Sequence, residues 1–350
     1  MLKIMNYING ELVPPASGKY LKNVCPSTGE NYSLIPDSDK NDVNQAVEAA
    51  QQAYKLWSTT PKRERSDILM KLADEIEKHS DELIAAESKD NGKPKWLAQA
   101  VDIPRAPENF RFFATAILHF NSEIHEMDGQ ALNYTLRQPI GVAGCISPWN
   151  LPLYLLTWKV APALAAGNTV VAKPSEVTPM TAFIFSKICQ KSGLQKGILN
   201  IVHGTGEKVG DPLTRHPDVP IISFTGGTET GGKIASATAP LFKKLSLEMG
   251  GKNPNIIFSD AEFDNAVEMA VKASFSNQGQ ICLCGSRLFV QEDIYDKFKS
   301  DFLEKTRNLV VGDPRDNSSN LGAIVSKQHM EKILSKIEQA KGEGGKVLTG

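Results

Sequence analysis

Apolar positions change their spacing three times along this chain. Between residues 5 and 35 short stretches are bounded by the turn signals Asn9-Gly10 and Thr28-Gly29 and predict strands. From Asp42 to Ser58, Val43, Ala46, Val47, Ala50, Ala53 and Trp57 recur at helical spacing, and Pro61 opens a second amphipathic helix carrying Leu69, Leu72 and Ile76. Beyond Gly141 the pattern becomes short apolar runs, Val142–Ile146, Thr169–Ala172, Ile198–Val202 and Ile221–Phe224, alternating with helical segments. That alternation predicts crossover units and a parallel sheet covered on both faces. In such sheets ligands bind outside the carboxyl ends of the strands. The polar segments Ser147-Pro148-Trp149-Asn150, Lys173-Pro174-Ser175-Glu176, Gly204-Thr205-Gly206 and Thr225–Gly231 all follow a strand. A second domain is expected from about Gly251, with a strand at Asn255–Phe258 and a helix from about Glu262 to Ser276.

Bulk properties narrow the field. A chain of 350 residues is long enough for two domains and a sizeable cleft. Thirty-nine basic residues against 40 acidic ones leave a formal charge of -1, so no global field draws it to nucleic acid or membranes. The five cysteines, Cys25, Cys145, Cys189, Cys282 and Cys284, make a poor disulfide framework, and a reducing, cytoplasmic setting is expected. The N-terminus lacks the pattern of a secretory signal, and no apolar run reaches membrane-spanning length.

Candidate chemistry centres on Cys282. It lies among Asn277, Gln278, Gly279 and Gln280, small and polar neighbours that allow hydrogen bonds and some access of water, as a reactive thiolate needs. A small core cysteine is the plainer alternative. Cys284 raises the question of a metal, but no second Cys or His pair stands at ligand spacing. Glu248, between Leu245-Ser246-Leu247 and Met249-Gly250-Gly251, has no cation beside it in sequence; in a partly apolar site it would suit a general base, and otherwise it is a solvated strand end. Asn150 either aims an amide donor at developing oxygen charge or caps the helix expected over Leu151–Ala165. Lys173 and Glu176 are either an exposed ion pair or a ribose clamp whose carboxylate would repel a 2′-phosphate. Gly204, Gly206 and Gly210 are spaced G-x-G-x-x-x-G, which departs from the dinucleotide fingerprint.

Taken in order, Pro148-Trp149-Asn150, Lys173-Pro174-Ser175-Glu176, Phe224–Gly231, Leu247–Lys252 and Gly279-Gln280-Ile281-Cys282 resemble the aldehyde dehydrogenase superfamily along essentially the whole chain. The resemblance implies an α/β fold: a Rossmann-like, parallel-sheet NAD-binding domain over 1–120 and 140–250, a bridging hairpin over 121–139, and the N-terminal part of a catalytic domain over 251–350. It implies Cys282 as nucleophile, Glu248 as general base and Asn150 as oxyanion donor. It implies NAD contacts from Ile146, Ser147, Pro148, Trp149, Lys173, Ser175, Glu176, Gly206, Gly210, Phe224, Thr225, Gly226, Gly227, Thr228 and Gly231. Met249, where leucine is usual, and Gly227, often serine, are the departures. Asp102–Arg105, Asn109–Phe113 and Ile146–Lys159 look like the branch that oxidises muconic-type semialdehydes, with Arg105, Tyr154 and Trp158 facing a carboxylate-bearing substrate. Arg105 paired to Asp102 or Glu108 on the helix surface is the alternative. The resemblance also implies a homo-oligomer, dimer or tetramer. No Glu-x-Phe-Gly-Pro segment, which holds the nicotinamide ribose in the family, occurs before Gly350, so an enzyme and a non-catalytic NAD-binding fragment both stay open at this point.

Overall fold

The computed structural model describes residues 1–350. Its centre is a seven-stranded sheet in the order Lys244–Met249, Ile221–Gly226, Val142–Ile146, Thr169–Lys173, Leu199–Ile201, Asn6–Ile8, Glu11–Val13. The first five are mutually parallel, and the N-terminal hairpin adds the last two antiparallel. Every residue of Val142–Ile146 and Thr169–Lys173 is buried, which is why these strands read as unbroken apolar runs. Their side chains still alternate. Val170 and Ala172 join the larger core with the helices Lys62–Lys78, Ile103–Ala116, Pro152–Ala165 and Met180–Ser192, while Val171 faces a smaller core with the helix Lys40–Trp57.

The helices begin close to where the sequence suggests. Lys40–Trp57 starts two residues before the expected Asp42 because Asp39 and Asp42 form a reciprocal capping box. A π-turn over Ala98–Asp102 precedes the helix Ile103–Ala116 and was not foreseen. After the central sheet, Pro254–Ile257 pairs in parallel with Arg287–Val290 and packs a small core of Ile257, Val267, Ala270 and Phe298. A separate hairpin, Ile124–Met127 with Ala131–Tyr134, is exposed at every position.

Candidate active site

Cys282 is half-buried in the turn that follows the helix Phe263–Phe275. The connecting residues Asn277, Gln278 and Gly279 all have positive φ (52°, 57° and 71°), a left-handed run that only glycine adopts without strain. Polar contacts hold it: the Asn277 amide donates to the Asn150 carbonyl at 3.1 Å, and the Gln280 carboxamide oxygen accepts from Val325 N at 3.1 Å. The Asn253 amide donates to the carbonyls of both Cys282 (2.7 Å) and Cys284 (3.1 Å). A Cβ built on Gly250 would stand 4.0 Å from the Cys282 Cβ, so the thiol loop abuts the end of the strand that carries Glu248. Cys284 is buried, and burial pushes its thiol above the ordinary range.

Asn150 does not cap a helix. The helix begins at Pro152 after Leu151, with no side-chain cap, and the Asn150 Nδ2 instead donates to the Gln280 carbonyl at 2.9 Å. A carboxamide has two N–H groups, so one remains for an oxygen bound beside Cys282. Glu248 is the solvated strand end of the two readings: it is exposed on the edge strand Lys244–Met249 rather than set in apolar surroundings. It also has a cation near it in space: buried Lys159, whose ammonium burial destabilises, feels the opposing fields of Cys145 and Glu248 and lies 3.4 Å from Ser223 Oγ.

Along the strand ends runs a second set of groups. Lys173 is buried and its Nζ donates to Glu176 Oε2 at 2.6 Å, so this is no exposed pair. Burial alone would raise the Glu176 carboxyl, but the Lys173 charge, that hydrogen bond and the Gly206 N–H bring it below the usual carboxylate range. Ser147 Oγ and Thr225 Oγ1, at the ends of neighbouring strands, are buried without any partner. Ile146 and Phe224 are buried beneath them, Pro148 and Trp149 are half-buried, and Ser175 Oγ accepts from Val177 N at 3.2 Å. Cβ atoms on Gly206, Gly210 or Gly227 would meet nothing within 4 Å, whereas one on Gly231 would stand 2.5 Å from Met249 Sδ and one on Gly226 would strike the Phe224 ring. Gly226 ends its strand and Thr228 opens the next helix, so within the polar segment Thr225–Gly231 the connection is the single residue Gly227. Gly227 supplies no capping side chain, leaving the first amides of that helix free.

Arg105 is paired to Glu108 on the helix surface, and it also lies beside Tyr154. Its Nη1 donates to Glu108 Oε2 at 3.0 Å, its guanidinium lies 5.3 Å from the Tyr154 ring centre, and 43% of the side chain is exposed. Tyr154 and Trp158 are edge to face with centroids 6.4 Å apart, and Trp158 is exposed. Asp102 takes no part here; it turns inward to Lys93 at 2.9 Å.

The family model described as "Aldehyde dehydrogenase family" matches residues 12–350. The chain belongs to the aldehyde dehydrogenase family. It is 51% identical over 351 residues to the 2-aminomuconic semialdehyde dehydrogenase of Mus musculus, covering all of this chain and 72% of the relative. It is 44% identical over 356 residues to the 2-hydroxymuconic semialdehyde dehydrogenase of Pseudomonas sp. (strain CF600), covering all of this chain and 73% of the relative. Among solved structures, an aldehyde dehydrogenase from Bacillus cereus in complex with NAD+ superposes with a TM-score of 0.97 at 36% identity, covering 99% of this chain and 71% of that one.

As an aldehyde dehydrogenase the chain is an oxidoreductase, and the Cys282 loop meets both the Asn150 amide, just past the strand Val142–Ile146, and the end of the Glu248 strand. Sequence reasoning missed Lys159 and Asn253. A lone lysine within the apolar helix segment Leu155–Ala161 was the available signal for the first. Nothing in the pattern around Asn253 pointed to its carbonyl partners. No helix is long and apolar enough to cross a membrane.

Proposed function

We propose that this aldehyde dehydrogenase oxidises a carboxylate-bearing semialdehyde, of the 2-aminomuconic or 2-hydroxymuconic type, to the acid with NAD+. The observation that carries the mechanism is the Asn150 amide hydrogen-bonded into the Cys282 loop while that loop abuts the Glu248 strand. Cys282, as thiolate, adds to the aldehyde carbon and forms a C–S bond; the carbonyl oxygen becomes an oxyanion, received by the free Asn150 N–H and the Cys282 backbone N–H. NAD+, when bound, supplies the hydride acceptor that turns this adduct into a thioester. Glu248 then takes a proton from water, which attacks the thioester and releases the acid and the thiolate. An exposed Glu248 has ready access to that water.

The crevice fits the cofactor chemically. The Lys173–Glu176 pair offers a carboxylate for ribose hydroxyls, the unpartnered Ser147 and Thr225 hydroxyls face no protein group, and the uncapped helix start at Gly227–Thr228 suits a pyrophosphate. On this reading the NAD-binding domain comprises 1–120 and 140–250, and the catalytic part starts at 251. The exposed hairpin, with Ile124, Met127, Leu132 and Tyr134 on its surface, supports a homo-oligomer, which size measurement in solution tests. Arg105, stacked on Tyr154, is the proposed grip for the substrate carboxylate. NADH formation with a muconic-type semialdehyde and with an uncharged aldehyde, for the native protein and Arg105→Gln, tests the assignment. A native preference for the uncharged aldehyde would sink it.

A further inference from the structure

Lys93 is the one lysine in the molecule with no part of the residue in contact with solvent. It follows Gly92, whose φ of 83° turns the chain sharply after the helix Ser80–Asn91. Lys93 Nζ donates to Asp102 Oδ2 at 2.9 Å and to the backbone carbonyl of Asn150 at 3.1 Å, with Glu87 Oε1 at 3.8 Å. From the same turn Asn91 donates to the carbonyls of Trp149 (3.0 Å) and Asn150 (3.3 Å). Across the cleft, Asn277 donates to the Asn150 carbonyl at 3.1 Å and to the Gln280 carbonyl at 3.3 Å. The Asn150 carbonyl therefore faces three nitrogen donors, more than its two lone pairs can serve, and the charged one binds most strongly.

Stability alone does not account for such a group, since a buried ion pair replaced by apolar side chains often leaves a fold equally stable. What the ammonium does locally is fix a peptide. The Asn150 carbonyl and the Asn150 side chain hang on the same short segment, and the side chain reaches the loop of Cys282 through Gln280. Rotation of that segment would move the amide donor away from the thiol. The π-turn over Ala98–Asp102 ends on the carboxylate that anchors the ammonium from the far side. Glu87 completes the cluster beside the Leu153 N–H at the start of the helix Pro152–Ala165; burial drives its carboxyl up to about 8 against the opposing Lys93 charge, and burial raises the Asp102 carboxyl as well.

We propose that Lys93, anchored by Asp102, is a positioning residue that clamps the Asn150 peptide and thereby aims the Asn150 amide at the oxygen of the substrate bound to Cys282. The inference rests on the oxyanion role of Asn150 proposed above. Lys93→Met alone would leave Asp102 buried and unpaired, so the test uses the neutral pair Lys93→Met/Asp102→Asn, with Asp102→Asn as a milder second variant. Thermal melting and NAD+ binding establish that each variant is folded and binds cofactor. Loss of one oxyanion donor lowers kcat by about 10²- to 10³-fold, and the paired variant is expected to fall by about 10²-fold with its KM for NAD+ within about threefold of native.

The deciding measurement is the cycle with Asn150→Ala. If Lys93 acts through Asn150, adding Asn150→Ala to the paired variant costs less than about threefold more, whereas independent sites multiply. A paired variant, or Asp102→Asn, with native kcat overturns the proposal, as does a cycle in which the effects multiply. Native kcat in Asn150→Ala alone is the distinguishable failure of the underlying assignment, and takes the Lys93 role with it.

Discussion

Replacing Glu176 by glutamine removes one charge from the crevice and little else. In the native protein its carboxylate is fixed 2.6 Å from the buried Lys173 ammonium and is about one-third exposed, so it is positioned yet reachable by a ribose. Unit charges about 5 Å apart interact by ~3 kcal/mol at an effective dielectric of about 20. A 2′-phosphate on the ribose would meet roughly that repulsion, which corresponds to about a 10²-fold loss of affinity. Glu176→Gln is expected to lower kcat/KM for NAD+ about tenfold through the lost charged hydrogen bonds, and to raise that for NADP+, now attracted by an unpaired Lys173. The preference for NAD+ should shrink by about 10²-fold or more. Initial rates with each dinucleotide measure it. A preference unchanged within about threefold, in a variant that unfolds cooperatively and still binds NAD+, would refute the clamp. Stability carries an independent sign. Because the Glu176 carboxyl lies below its ordinary range, its contribution is present above the unfolded value and lost as pH falls through the folded one, so Glu176→Gln should lose that acid-side decline.

Other outcomes follow from the same geometry. Cys282→Ala should abolish NADH formation while leaving NAD+ binding intact, whereas Cys284→Ala, which removes a buried thiol, should cost only about 1 kcal/mol of stability and keep most activity. Glu248→Gln should leave a pre-steady-state burst of NADH but slow thioester hydrolysis by about 10²- to 10⁴-fold, seen by stopped flow; loss of the burst would contradict its assignment as base. Gly231→Ala brings a Cβ to 2.5 Å from Met249 Sδ, but Met249 is exposed and flexible and can swing aside, so the change should cost less than about 1 kcal/mol in a melting experiment. Glu87, raised to about 8, binds its proton in the folded state where the unfolded chain has lost it, so stability declines between about pH 4.5 and 8, by at most ~1.4 kcal/mol per pH unit. Glu87→Gln should flatten that part of the stability profile.

What the sequence disclosed and what it hid divide along a physical line. Val142–Ile146 and Thr169–Lys173 were legible because a strand buried on both faces must be apolar throughout, and the polar residues after them because chemistry sits where strands end. Cys282 stood out against its neighbours for the same local reason. The setting of Glu248 stayed open between a partly apolar site and a solvated strand end because the apolar pattern before it fits an edge strand and a covered one equally, and the strand proves to be an edge. Lys93 meeting Asn150 across 57 positions, and Lys159 reaching Ser223 across 64, are contacts that no local pattern encodes. Between the two readings of Asn150, the local one of a helix cap gave way to a partner 130 positions away.

The left-handed run Asn277-Gln278-Gly279 carries a last consequence, for the order in which this protein acquires its competence. Each of the two non-glycine residues costs roughly 1–2 kcal/mol in that conformation, so the loop has no tendency to assume its shape alone. Its ties lead to Asn150 on one side and to Ala323 and Val325 on the other, two stretches far apart in the chain. The nucleophile is thus set only after the surrounding structure has closed, and amide exchange should find this loop among the first to open and the last to become protected during refolding.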